Sequence, residues 1–93
     1  MEGSSMERND KIAQLYRLIA SLKTPEECQM LFDDLCTNKE VENMAERLFA
    51  AQLLIEGKTY NQVMEQANIS SATLSRVSRC VQYGSGYSRL LKK

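Results

Sequence analysis

Between Ser70 and Arg79 the chain sets small side chains ahead of two cations, a pattern suited to touching bases and phosphates, not to bond-making. Ser71, Ala72 and Ser75 fall at i, i+1 and i+4, on one solvent face of a helix that Ser70 can cap. Side chains this small let a backbone approach base edges in a major groove. Arg76 and Arg79 follow one helical turn apart, and with Thr73 and Asn61 they are placed to grip phosphate. Catalytic chemistry has little to work with. Histidine is absent, so the commonest general base and metal ligand is missing. Cys28, Cys36 and Cys80 lack the close pairing of a zinc site. Gly84-Ser85-Gly86 has neither the spacing of a phosphate loop nor that of a nucleophile elbow. Glu26-Glu27 and Asp33-Asp34 read as caps and solvated helix faces. No enzymatic activity, metal or cofactor is expected.

The elements that must hold those residues can be read around them. From Thr59 to Val77 the layout is that of a helix-turn-helix that binds double-stranded DNA, with Val63, Ala67, Ile69, Leu74 and Val77 as its apolar contacts. Asn68 falls where the turn needs a left-handed backbone, which asparagine tolerates best after glycine. Thr59 and Gln62 form a capping box for the first helix, and the second should run from the Ser70 cap to about Val81. A long supporting helix opens on the box Thr37-Asn38-Lys39-Glu40 and stops at Gly57. Val41, Met44, Ala45, Leu48, Phe49, Ala51, Leu54 and Ile55 make it apolar around much of its circumference.

Two more helices precede it. The first spans about Asn9 to Leu22 with the stripe Ile12, Leu15, Tyr16, Ile19 and Leu22. The second opens on Thr24-Pro25-Glu26-Glu27 and is expected to bury Cys28, Leu31, Phe32 and Leu35. Tyr83-Gly84-Ser85-Gly86-Tyr87 reads as a flexible break, its tyrosines at the core edge, before a last turn with Leu90 and Leu91. The fold class is therefore all-α, with five to six helices. Residues 1–8 form a tail and 9–93 one domain: dimerisation helices over 9–57, the helix-turn-helix and its reading helix over 59–82, and a C-terminal tail over 83–93.

Ninety-three residues suffice for one small domain, and no apolar run approaches a membrane span. With no signal-like N-terminus and an odd number of scattered cysteines, a reduced cytoplasmic protein is expected. The zero net charge hides a polarity. Residues 1–56 carry six basic against eleven acidic side chains, a net −5, while 57–93 carry six against one, a net +5. The positive half is the one holding the helix-turn-helix. A helix-turn-helix needs only one supporting helix, so the first two helices present apolar stripes that the monomer leaves wet. Each large apolar side chain left so forgoes about 1.5–3 kcal/mol. A two-fold homodimer built from the first three helices answers this. A dimeric protein-interaction adaptor without DNA binding is the rival reading, separable by its indifference to salt.

The segment TNKEVENMAERLFAAQLLIEGKTYNQVMEQANISSATLSRVSR resembles the tryptophan repressor family, and the chain looks like its YerC/YecD-type relatives over roughly residues 9–82, with a similar YGSGY tail. The resemblance implies an intertwined all-helical homodimer acting as a transcriptional regulator, its two heads one DNA turn apart. It also implies an effector site: Thr37 matches the threonine at the effector's ammonium group, Arg47 the arginine stacked on its ring, and Arg76 the arginine on its carboxylate. Taken alone, Thr37 is equally explained by capping, and Arg47 by a half-buried structural arginine paired with Glu42 or Glu46. Two departures count against tryptophan. Val77 stands where the family has glycine, and Cys80 where it has serine. Overpacking by a branched side chain typically costs about 1–3 kcal/mol, so tryptophan is not expected to bind, and any other effector is unspecified.

Overall fold

The computed structural model describes residues 7–91 as six helices, with no strand among them. These are α1 (Arg8–Ser21), α2 (Pro25–Leu35), α3 (Asn38–Ile55), α4 (Tyr60–Ala67), α5 (Ser71–Tyr83) and α6 (Gly86–Leu91). The all-α expectation holds at its upper count. Most of the expected N-terminal tail, residues 1–6, lies outside the described residues; Glu7 stands just before α1 without a side-chain capping bond, and Arg8 is already helical. The helices fall into two compact units, residues 1–37 and 38–93.

The first unit holds α1 and α2. Thr24 caps α2 as its sequence requires: the Glu27 N–H donates to Thr24 Oγ1 at 3.1 Å, with Pro25 in the first turn. The Glu27 carboxylate reaches back one residue further than a standard box, accepting from the Lys23 N–H at 2.8 Å. Neither helix buries a single residue. Ile12, Leu15, Ile19, Leu31 and Phe32 are half-buried, whereas Tyr16 and Met30 are 65% and 70% exposed. The expectation that α2 buries Cys28 and Leu35 fails, since both are exposed.

The second unit packs α3 against α4, α5 and α6. Its core is Ala50, Ala51, Leu53, Val63, Ala67, Leu74 and Val77. Two adjacent alanines on α3, both wholly buried, let the helices of the head approach closely. Gly57 ends α3 in a Schellman motif: its φ is +95°, its N–H donates to Leu54 O at 3.0 Å, and the Lys58 N–H donates to Leu53 O at 3.1 Å. Beyond the head, α5 runs two residues past the expected Val81. The glycine-rich break shrinks to Gly84 and Ser85, because Gly86 already begins α6.

Candidate nucleic-acid interface

The head is built by local chemistry at three points. At the start of α4, the Gln62 N–H donates to Thr59 Oγ1 at 3.2 Å, and the Thr59 N–H donates to Gln62 Oε1 at 2.9 Å. This completes the capping box and fixes the entry angle of α4. In the turn, Asn68 adopts φ 57° and ψ 48°, the left-handed conformation its position demanded, with its N–H on Met64 O at 3.1 Å. Replacing Asn68 with valine is expected to cost roughly 1–2 kcal/mol, whereas glycine should be close to neutral. Chemical denaturation of the two variants checks this. At the start of α5, the Thr73 N–H donates to Ser70 Oγ at 3.2 Å, and the Ser70 hydroxyl donates to Thr73 Oγ1 at 3.1 Å.

The two faces of α5 divide cleanly. Leu74, Val77 and Ser78 are buried, while Ser71, Ala72, Ser75, Arg76 and Arg79 are exposed. Asn61 is exposed on α4. Thr73 differs from its exposed neighbours: it is half-buried, and its hydroxyl already accepts from Ser70. Ser70 is exposed but occupied as the cap. These two hold the reading helix in place, so an open, unengaged surface belongs to Ser71, Ala72, Ser75, Arg76 and Arg79.

Behind that surface lies a cleft of about 440 Å³ between α3 and α5, lined by Arg47, Thr73, Arg76, Val77, Cys80 and Tyr87. Arg47 and Arg76 therefore share one cleft. Arg47 is exposed, not half-buried as the structural reading had it. Val77 is 2% exposed and forms part of the wall. Thr37, the third residue matched to an effector site, is exposed and closes the other compact unit. A smaller polar cleft of about 230 Å³ adjoins through Arg47 and Thr73, with Asn43 and Glu46 of α3 facing Asn68 and Ser70 of the turn. Asn43, Glu46 and Tyr87 had not been singled out as cleft residues. For Asn43 and Glu46 a signal existed, since they lie on the same side of α3 as Ala50. Among the described residues no group of three or more His, Cys, Asp or Glu could hold a metal, and no helix is long and apolar enough to cross a membrane.

Two short capped helices, α4 and α5, joined by a left-handed turn at Asn68 and both packed on α3, have the layout of a helix-turn-helix. The comparisons with known proteins go further: the chain belongs to the Trp repressor protein family, whose sequence model matches residues 10–93. It is 47% identical over 77 residues to the uncharacterized protein YerC of Bacillus subtilis, spanning 83% of this chain and 74% of that one. Two crystal structures share its fold. One is a Trp repressor candidate from Staphylococcus aureus, 36% identical with a TM-score of 0.86 over 94% of this chain and 92% of that one. The other is a TrpR-like protein from Eubacterium eligens, 35% identical with a TM-score of 0.84 over 92% and 96%.

Proposed function

We propose that this protein is a cytoplasmic transcriptional regulator that binds an approximately palindromic site on double-stranded DNA as a homodimer. One observation carries the reading: α5 exposes Ser71, Ala72, Ser75, Arg76 and Arg79 together while Leu74 and Val77 anchor its opposite side. In this arrangement α5 enters the major groove with Ser71, Ala72 and Ser75 nearest the bases. Arg76, Arg79 and Asn61 hold the phosphates, and Ser70 and Thr73 keep the helix tip in shape. Membership of a regulator family supports the same reading. In this reading tryptophan is not the effector, and support comes from Val77, which stands where the family has glycine and lines the cleft shared by Arg47 and Arg76.

Selection of bound sequences from a random DNA library, at two salt concentrations, tests the proposal. A two-fold symmetric consensus with half-sites about 10 base pairs apart is the expected result. Binding that is weak, asymmetric and indifferent to salt favours the protein adaptor instead. On the selected site, Arg76→Ala should weaken binding to every sequence alike and lower the salt slope by about 2, one phosphate contact being lost from each head of the dimer. Unchanged binding in that variant would mean that α5 does not lie as proposed.

A further inference from the structure

The C-terminal helix is too short to hold itself together, yet it is pinned at several points. Six residues cannot sustain a helix without tertiary contacts. Gly84 makes the close turn possible: a Cβ there would sit 2.7 Å from the backbone oxygen of Cys80, which the Gly84 N–H itself contacts at 2.9 Å. Ser88 Oγ donates to Val81 O at 2.8 Å, in a partly buried bond that ties α6 back to α5 across seven residues. Tyr87 and Leu91 then pack on the core. The two tyrosines of this segment have different fates. Tyr83 is 83% exposed, whereas Tyr87 is half-buried and stands in the wall of the cleft lined by Arg47 of the supporting helix and Thr73, Arg76, Val77 and Cys80 of the reading helix.

We propose that Tyr87 is an intramolecular wedge that sets α5 on α3, so that the head is held in its DNA-binding posture by the chain itself and needs no small molecule in the cleft. This inference rests on the proposed function and names the regulation of the same site. Tyr87 packs against the core to which α3 and α5 both contribute, and it shares the cleft with Arg47 of α3 and Arg76 and Cys80 of α5, the two helices whose relative position decides where Ser71, Ala72 and Ser75 point. Its ordering cost is met when the chain folds, not when DNA or a ligand arrives. Removing the ring lowers the fraction of molecules in the competent posture, and apparent affinity falls in proportion to that fraction.

The test compares the full-length protein with Tyr87→Ala, Tyr87→Leu and Tyr87→Phe, by fluorescence anisotropy on the selected site and by thermal melting. The probe is 4-hydroxyphenylacetate, which carries the deleted ring on a carboxylate that Arg47 and Arg76 can receive. Tyr87→Ala and Tyr87→Leu should bind DNA about tenfold more weakly or worse, with the salt slope unchanged, because no phosphate contact is lost. Tyr87→Phe should stay within about twofold, since the ring and not the hydroxyl is the wedge. Millimolar probe should recover most of the loss in the alanine variant and leave the unaltered protein's affinity and Tm where they were. Should the alanine variant fail to fold, the leucine variant and the unaltered protein carry the comparison. Native-like binding without the ring, a loss that the probe does not recover, or a probe-induced rise of several degrees in the unaltered protein's Tm would each overturn the wedge. If the unaltered protein binds no selected DNA, the proposed function fails. The wedge is then judged on melting alone: Tyr87→Ala stabilised by the probe and the parent indifferent to it.

Discussion

Replacing Leu74 with alanine is expected to destabilise the protein by about 2–5 kcal/mol, enough to unfold a substantial fraction of it at physiological temperature. Among the described residues Leu74 and Val63 are the largest side chains buried completely. The rest of the core is three alanines, one valine and Leu53, which have little volume to move into a vacated space. The cavity left by Leu74 would open between α5 and the Ala50–Ala51 segment of α3 and persist, because the alanines cannot extend to fill it. The cost is large relative to the ~5–15 kcal/mol that holds a typical domain together. Urea denaturation should show a lowered midpoint at an unchanged slope, the mark of lost stability in an otherwise intact fold. A midpoint within experimental error of the parent's would mean that Leu74 does not anchor the reading helix. Ala72, two residues away but exposed, offers the contrast: its substitution should change which DNA is chosen and barely move the midpoint.

The parts of this molecule legible in the sequence are those decided within a few residues of chain. Asn68 announces a left-handed turn because few other side chains tolerate one, and the structure puts it there. Thr24, Thr59 and Ser70 announce helix starts because their oxygens can reach a backbone N–H three residues on, and all three do. Leu74 and Val77 lie opposite Ala72, Arg76 and Arg79, as helical spacing requires. What stayed hidden depends on contacts made across the chain. Cys28 and Leu35 carry an apolar pattern, but pattern says only that a face seeks cover, and a single chain supplies none for them. Gly84 looks like loose linker by composition. Its real constraint is the carbonyl of Cys80 one turn earlier, so the expected flexible break is a tight corner that folds α6 back. Tyr87 reaches the cleft only through that corner, and no spacing rule on its own segment places it beside Arg47.

The second large effect is expected on α3. Leu48 and Phe49 are adjacent, 44% and 43% exposed, on a helix whose Ala50, Ala51 and Leu53 are already committed to the head. Leu48 also lines an apolar groove with Tyr87, Leu90 and Leu91 of α6, so a glutamate at position 48 should cost the head some stability and the proposed homodimer a great deal. Placing an ionised carboxylate in a dry interface carries a penalty of several kcal/mol that no partner charge offsets. Sedimentation equilibrium should show the parent as a dimer and Leu48→Glu as a monomer at the same micromolar concentrations. DNA binding should fall with it. Two heads joined by an interface engage two half-sites with the advantage of high effective concentration, typically worth about 10²–10⁴ in affinity. The variant should lose that advantage while each head keeps its helix content. Arg76→Ala supplies the complementary result: a dimer as stable as the parent, weakened on DNA through one lost phosphate contact per head. A Leu48→Glu protein that remains dimeric would show that Leu48 does not lie where two copies meet. A monomer that still binds the selected site at parental affinity would separate assembly from recognition, and the palindromic reading would then have no physical basis.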